Sequence, residues 1–214
     1  MKYLGRIAVV AMLPLLAGCF DYVQSLSVTS NGIATMVTEL SIATEMMSLE
    51  FAEEDGDEFC PIEPDERLPP TFTLIYEESI RGEDTVCIVT AVGPVEDLAE
   101  AIETGSLIPG ADDEGAPAIT FVDEGGGVFT YSVFFSSQGD PEGGEEQAAL
   151  MAMLALFMEG RTLTWSITAP GILDVNDDAA NVTRDGDTVM MVIPALELVT
   201  EVGIDYALTV RFRP

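Results

Sequence analysis

The chain has 214 residues, of which 48% are apolar; 38 acidic residues stand against 8 basic ones and no histidine, giving a formal charge of −30. So many apolar residues exclude a disordered acidic chain, and the shortage of basic residues excludes a nucleic-acid-binding protein. The length suits one domain with its own hydrophobic core.

The first 18 residues have the pattern of a secretory signal peptide. Lys2 and Arg6 form a short positive segment, and the apolar stretch 7–17 is too short to cross a bilayer, which takes about 20 residues. The stretch ends in Leu16-Ala17-Gly18-Cys19, which resembles the lipobox of bacterial lipoproteins. The resemblance implies that residues 1–18 are cleaved, that Cys19 carries a diacylglyceryl group and fatty acyl chains such as palmitate, and that residues 19–214 form one exported domain. The alternative is an ordinary cleaved signal peptide in which the cysteine is a coincidence.

The residue after the cysteine bears on location. It is Phe20 rather than the Asp that retains lipoproteins of this kind at the inner membrane, so we expect the outer membrane, facing the periplasm, in a cell with two membranes. Cleavage removes two basic residues and no acid, which changes the formal charge to −32. Such a surface has no basic cluster to bind anionic lipid, so the acyl chains must anchor the protein.

Two further cysteines remain in the mature chain. Cys60 and Cys87 form an even pair in an exported protein, which predicts a disulfide bond. It would close a loop of roughly 28 residues and stabilise the fold by on the order of 3–4 kcal/mol in the chain-entropy model. The alternative is two buried thiols.

The remaining chain alternates between hairpins and helices. Asn31-Gly32 joins the first two β-favouring runs and is a strong hairpin signal. An acidic segment, 53–66, follows the first helix and carries 8 acids in 14 residues. The predicted strands are Tyr22–Thr29, Ile33–Ile42, Thr71–Ile80, Thr85–Val92, Ala118–Val122, Val128–Phe135, Thr162–Thr168, Asn181–Thr183, Thr188–Ile193 and Tyr206–Phe212; the predicted helices are Ala43–Glu54, Pro94–Thr104, Glu145–Glu159 and Pro194–Val202.

This order repeats a β-β-α unit four times. Short hairpin connections imply antiparallel pairing. We therefore predict an α+β fold, an antiparallel sheet built from successive β-β-α units with the helices packed on one face.

One stretch supports a family resemblance. Trp165-Ser166-Ile167-Thr168-Ala169-Pro170-Gly171, followed by Asn176 and an Asp185-Gly186 turn, resembles LppM-type bacterial lipoproteins. The lipobox cysteine and the Asn-Gly hairpin near it add to this resemblance. It implies an exported, lipid-anchored α+β protein that binds envelope glycolipids.

Catalytic signatures are missing from the sequence. Without histidine, and without lysine in the mature chain, the usual general bases and amine nucleophiles are lacking. Neither a nucleophile elbow nor a phosphate-binding glycine loop is present. We expect no enzyme; only paired-carboxylate chemistry remains, as in glycosidases.

The third helix is unusual because 148–158 is apolar on every face, whereas a surface helix has a polar stripe. It predicts a buried core helix, the wall of an amphiphile-binding cavity between this helix and the sheet, or a face that contacts lipid. The residues expected to line that cavity are Met151, Leu154, Phe157, Met158, Arg161 and Trp165. Here Arg161 would hold an anionic head group; the alternatives are that Arg161 complements the helix dipole and that Trp165 is a core residue.

A last pattern concerns metal binding. Asp174, Asn176, Asp178 and Asp185 have the spacing of positions 1, 3, 5 and 12 of a calcium loop. However, Ala179 stands where the loop needs glycine, so a solvated hairpin loop is the favoured interpretation. We therefore expect no cofactor, with calcium as the alternative.

These observations give one leading function and two others. The leading function is a membrane-bound, non-enzymatic lipoprotein that binds a lipid or other amphiphile. The second is a structural or adaptor lipoprotein that binds a protein partner in the envelope and no small ligand. The third is a carboxylate-based hydrolase.

Overall fold

A computed structural model of the protein describes residues 20–44, 68–104, 107, 116–136, 158–176, 181–200 and 203–214. The described chain forms eleven β-strands and two α-helices. The strands are β1 (Phe20–Val28), β2 (Ile33–Ala43), β3 (Thr73–Arg81), β4 (Asp84–Pro94), β5 (Ala118–Gly125), β6 (Val128–Ser136), β7 (Thr162–Thr168), β8 (Ile172–Val175), β9 (Val182–Asp185), β10 (Thr188–Pro194) and β11 (Asp205–Phe212).

The strands form two sheets. The larger sheet has the order β3-β4-β2-β1-β7-β10-β9, and the smaller sheet has the order β5-β6-β11-β8. Within the larger sheet, β1 occupies the central position. It pairs with β2 in an antiparallel and with β7 in a parallel arrangement.

One hydrophobic core lies between the two sheets. Side chains alternate along the strands, so that every second residue of β1 and β7 is buried. In the smaller sheet, the rings of Phe121, Phe129 and Phe212 lie within 6.2 Å of one another, measured between centroids. The ring of Phe135 lies 6.5 Å from that of Trp165 in the larger sheet. The two sheets therefore pack face to face.

The predicted hairpins all form. The pairs β1–β2, β3–β4, β5–β6 and β9–β10 are antiparallel and joined by short turns. Gly32 adopts φ 77° in the first turn and Gly186 φ 59° in the last, a conformation that favours glycine.

The predicted α+β fold of β-β-α units is wrong, because the described chain is mostly β-strand. Its two α-helices, α1 (Leu98–Glu103) and α2 (Ala195–Thr200), have six residues each. A 3-10 turn, Val95–Asp97, precedes α1. Helices this short cannot cover a seven-stranded sheet, and its apolar face is instead buried against the smaller sheet. The parallel β1–β7 pair also departs from the predicted antiparallel sheet.

Two of the predicted helices have counterparts: Pro94–Thr104 corresponds to the 3-10 turn and α1, and Pro194–Val202 corresponds to α2. Of the predicted helix Ala43–Glu54, only the first two residues are described, and Ala43 is the last residue of β2. Of the predicted helix Glu145–Glu159, only the last two residues are described. Within the described ranges, no helix has both the length and the apolar character needed to span a bilayer.

Candidate functional site

A polar cluster lies in the core between the two sheets. The side chain of Gln24, on β1, is fully buried. Its Nε2 lies 3.4 Å from the Thr38 hydroxyl on β2 and 3.8 Å from the sulfur of Met36. Its Oε1 accepts a hydrogen bond of 3.0 Å from the hydroxyl of Tyr131, on β6 of the smaller sheet. The cluster therefore connects the two sheets through the core.

Two aromatic residues beside this cluster bury polar atoms. The rings of Tyr22 and Trp165 lie 5.5 Å apart, at a tilt of 46°. The Tyr22 hydroxyl and the Trp165 indole N–H are both buried, and neither has a partner in hydrogen-bond geometry among the described residues. A buried donor without a partner costs about 1–3 kcal/mol, so native proteins satisfy nearly all of them.

Strand register brings these side chains together. Tyr22 and Gln24 are two residues apart on β1, so both point into the core. In the parallel β1–β7 pair, Gln24 lies opposite Trp165. In the β1–β2 pair, Gln24 lies opposite Thr38. Three neighbouring strands thus present polar atoms at one level of the core.

Burial keeps the two tyrosines of the site neutral. It raises the pKa of Tyr22 far above its ordinary value, an effect that the nearby Thr38 hydroxyl reduces in part. Burial, together with the proximity of Tyr22, likewise raises the pKa of Tyr131. Both hydroxyls therefore act as neutral hydrogen-bonding groups rather than as bases.

Arg161 lies at one end of the larger sheet, just before β7. Its guanidinium group donates two hydrogen bonds to Asp84, of 2.7 and 2.9 Å, and one of 2.8 Å to Asp21. The backbone N–H of Thr162 donates to the other oxygen of Asp21, at 2.7 Å. All three charged side chains are half-buried. Arg161 thus connects the ends of β1, β4 and β7.

The charges in this cluster reinforce one another. The hydrogen bonds from Arg161 lower the pKa of Asp84, and the Ser41 hydroxyl adds to that effect. Hydrogen bonds to Asp84 and Asp21 raise the pKa of Arg161. Neither the predicted head-group contact nor the predicted helix-dipole role of Arg161 included these two carboxylates.

The other predicted cavity residues are placed as follows. Met158 and Trp165 are fully buried in the hydrophobic core. Met151, Leu154 and Phe157 lie outside the described residues, so the cavity wall that they were predicted to form stays a prediction.

The predicted disulfide is also only half described. Cys87 lies in the middle of β4 with its side chain buried. Cys60 lies outside the described residues, and their pairing stays a prediction. The predicted lipidation site, Cys19, lies outside them as well, directly before β1.

The predicted calcium ligands are divided between the sheets. Asp174 lies on β8 of the smaller sheet, and Asp185 ends β9 of the larger one. An oxygen of the Asp174 side chain accepts the backbone N–H of Val175. Asn176 is exposed, and Asp178 lies outside the described residues. In the part of the chain that the structure describes, no three acidic, cysteine or histidine side chains are grouped as a metal site would need.

Sequence reasoning missed most of the polar cluster. The sequence pattern that indicates this cluster is the alternation in β1. Tyr22, Gln24, Leu26 and Val28 share one face of the strand, which places a glutamine at a core position. Tyr131 occupies the equivalent position between Phe129 and Val133. A polar residue at a core position of an otherwise apolar face is the feature that would have identified the cluster.

Comparison with solved structures shows a similar fold in a known protein. The structure resembles the NMR structure of the folded domain of LppM from Mycobacterium tuberculosis, with a TM-score of 0.52. The match covers 91% of this chain and 90% of that chain, at 8% sequence identity. No protein-family model matches the chain, and no curated protein matches it. The likeness thus supports the LppM resemblance at the level of the fold.

Proposed function

We propose that this protein is a lipid-anchored, non-enzymatic envelope protein that binds a lipid or other amphiphile between its two sheets. Two observations support the envelope location: the fold resembles that of the LppM domain, and Leu16–Cys19 has the lipobox pattern. The sequence lacks the usual catalytic bases, which supports a binding role over an enzymatic one.

The ligand proposal is carried by the unpartnered donors in the core. The Tyr22 hydroxyl and the Trp165 N–H are buried beside apolar side chains of both sheets. Ligand sites are largely apolar hollows with a few polar groups that orient the ligand. An amphiphile that places a carbonyl, ether or hydroxyl oxygen beside these donors would satisfy them, while its apolar chain packs against the aromatic rings. In this proposal the site lies next to Trp165 but between the two sheets, whereas the sequence predicted a cavity between the third helix and the sheet, and Arg161 is not its head-group ligand.

The anchor gives the first test. Replacing Cys19 with serine removes the thiol that would be acylated, so we expect the protein to move from the membrane fraction to the soluble fraction, or to stay uncleaved. Fractionation and the mass of the N-terminal peptide measure both effects. Unchanged processing and membrane association in Cys19→Ser would contradict the lipid anchor.

Ligand binding gives the second test. We expect native mass spectrometry of detergent-free Cys19→Ser protein to detect a co-purified lipid, and Tyr22→Phe in that background to retain several-fold less of it. The Tyr22→Phe change deletes only the hydroxyl, which lies near Thr38 but has no partner in hydrogen-bond geometry among the described residues. The ring still packs against Trp165. Circular dichroism should show that the variant keeps its fold.

A matched control separates the ligand contact from core packing. Thr38→Val removes a hydroxyl from the same cluster, but that hydroxyl already accepts a hydrogen bond from Gln24. We expect Thr38→Val to lower stability with little effect on the lipid retained per folded molecule. Equal lipid retention by Tyr22→Phe and its parent would exclude the proposed contact, and a parent without lipid would exclude the ligand.

The adaptor function remains the second candidate. Val122 and Phe134 are 50% and 46% exposed on the outer face of the smaller sheet. Apolar side chains on an outer sheet face contribute to a protein-interaction surface where they join a contiguous patch. If the protein retains no lipid, this outer face is the surface to test by substituting Phe134 and measuring recovery of envelope proteins cross-linked to it.

A further inference from the structure

The larger sheet begins immediately after the predicted lipidation site. Strand β1 starts at Phe20, and its pairing with β2 also starts there, with Phe20 opposite Ile42. Consecutive Cα atoms are 3.8 Å apart, so the backbone of Cys19 lies within about 4 Å of the first paired residue of the sheet. The chain therefore has no linker between Cys19 and the folded domain.

Strand β1 lies in the centre of the larger sheet, and the strands around it reach the same end of the sheet: β2 ends there, and β4 and β7 begin there. Thr85 of β4 pairs with Ile42, which pairs with Phe20. Beyond that level lie exposed residues of the β3–β4 turn, of the end of β2 and of the segment before β7. We call this surface the anchor end; among the residues that the structure describes, it consists of Thr44, Arg81, Gly82, Glu83, Glu159 and Gly160.

The head-group layer of a bilayer is thin compared with the length of the strands in the larger sheet. Each head-group region is roughly 5–8 Å thick, given a hydrocarbon core of about 30 Å and a total of about 40–45 Å. An acylated Cys19 places its backbone in that layer. Phe20 then follows within a single Cα step, and Asp21 within two, or roughly 7 Å.

We propose that the anchor end rests in the head-group layer, with the strands of the larger sheet directed away from the membrane. This proposal rests on the acylation of Cys19 proposed above. The opposite end of the sheet, at Ser30 and Asp187, then stands about 26 Å further from the bilayer, because β1 has nine residues that rise about 3.3 Å each.

Ion pairs lie next to the anchor end. Arg161 pairs with both Asp21 and Asp84, and Arg81 donates a hydrogen bond of 2.8 Å to Glu39, so two arginines offset part of the charge of three acids. In a mature chain with a formal charge of −32, these two arginines pair acids close to the membrane. Such pairing reduces the repulsion between an acidic protein and anionic lipids. The backbone N–H of Thr44 also donates to the carbonyl of Glu83, which joins the end of β2 to the β3–β4 turn.

Fluorescence quenching tests the orientation. Full-length acylated protein carrying Glu83→Cys or Ser30→Cys is labelled with a thiol-reactive fluorophore, with the unsubstituted protein as the labelling blank. Both positions are exposed turn residues, one at each end of the larger sheet. In phosphatidylcholine vesicles that contain a head-group nitroxide lipid, we expect the label at 83 to be quenched several-fold more than the label at 30.

A variant with an added linker tests whether the direct attachment of β1 to Cys19 causes this orientation. Twelve Gly and Ser residues inserted between Cys19 and Phe20 span roughly 19 Å on average and leave the lipobox intact. We expect this variant to float with the vesicles while the difference between the two labels disappears. If the label at 83 is still quenched more than the label at 30 in this variant, the short attachment does not set the orientation.

The remaining outcomes separate this inference from the proposed function. If the protein floats with vesicles but the label at 83 is quenched no more than the label at 30, the orientation is wrong and the lipid anchor stands. If the protein carries no acyl mass and does not float, the anchor itself is wrong and the orientation falls with it.

Discussion

Replacing Trp165 with alanine is expected to lower the free energy of unfolding by about 3–5 kcal/mol, because the change removes a large, fully buried side chain from the core. Trp165 packs against Tyr22 on its own sheet and Phe135 on the other. The neighbouring strands cannot collapse far into the space it leaves, since their spacing is fixed by backbone hydrogen bonds. Urea unfolding followed by circular dichroism measures the loss, as the variant has no tryptophan for fluorescence.

The control for Trp165→Ala lies on the adjacent strand. Met190, on β10, is 38% exposed and points away from the core, so Met190→Ala should change the free energy of unfolding by less than about 1 kcal/mol. A loss below about 1 kcal/mol for Trp165→Ala would show that the indole does not pack between the sheets. An added lipid that stabilises the parent protein but not the variant would further support a ligand beside Trp165.

The hairpins could be predicted from the sequence because their signals are local. Asn31-Gly32 and Asp185-Gly186 specify tight turns, and alternating apolar residues mark the strands on either side. The packing of one sheet against another could not be predicted in this way. It depends on contacts such as that between Gln24 and Tyr131, which lie on different sheets and far apart along the chain.

The error in the fold class has the same origin. Alternating strands show that one face is buried, but they do not show whether helices or a second sheet cover it. The sequence contains four helix-like segments, and we assigned the covering role to them. In the described structure α1 and α2 have six residues each, and the aromatic residues of β5, β6 and β11 form the opposing face.

The candidate site was predicted in part. Trp165 was included because it follows the third helix closely in sequence, and it lies beside the site that we now propose between the two sheets. Gln24 and Tyr131 were missed because nothing in the sequence shows that they meet: they are 107 residues apart and on different sheets. The carboxylate partners of Arg161 were missed for the same reason.

We expect the second large loss of stability when Arg161 is replaced. Arg161→Met should lower the free energy of unfolding by about 1–3 kcal/mol at pH 7, between the values for exposed and fully buried ion pairs. Methionine preserves much of the apolar stem but leaves Asp21 and Asp84 half-buried without their cation. Urea unfolding measured at pH 7 and at pH 3 would determine the size of the effect and its pH dependence.

The pH dependence follows from the lowered pKa of Asp84. Its contribution to stability is complete above the unfolded-state pKa, about 3.9, and is lost as the pH falls through the lower folded-state pKa. The difference in the free energy of unfolding between the parent protein and Arg161→Met should thus be constant between about pH 5 and 8 and decrease below about pH 4. Arg184→Met is the control, since Arg184 is exposed and its Nε donates to the carbonyl of Gly186.

A double-mutant cycle separates the ion pair from other effects of the Arg161→Met change. Asp84→Asn removes one partner, and the pair Arg161→Met with Asp84→Asn removes both charges. If the bidentate contact stabilises the sheet, the double variant should lose less than the sum of the two single losses, by about 1 kcal/mol or more. Additive losses would mean that Arg161 stabilises the ends of β1 and β7 through Asp21 and packing alone.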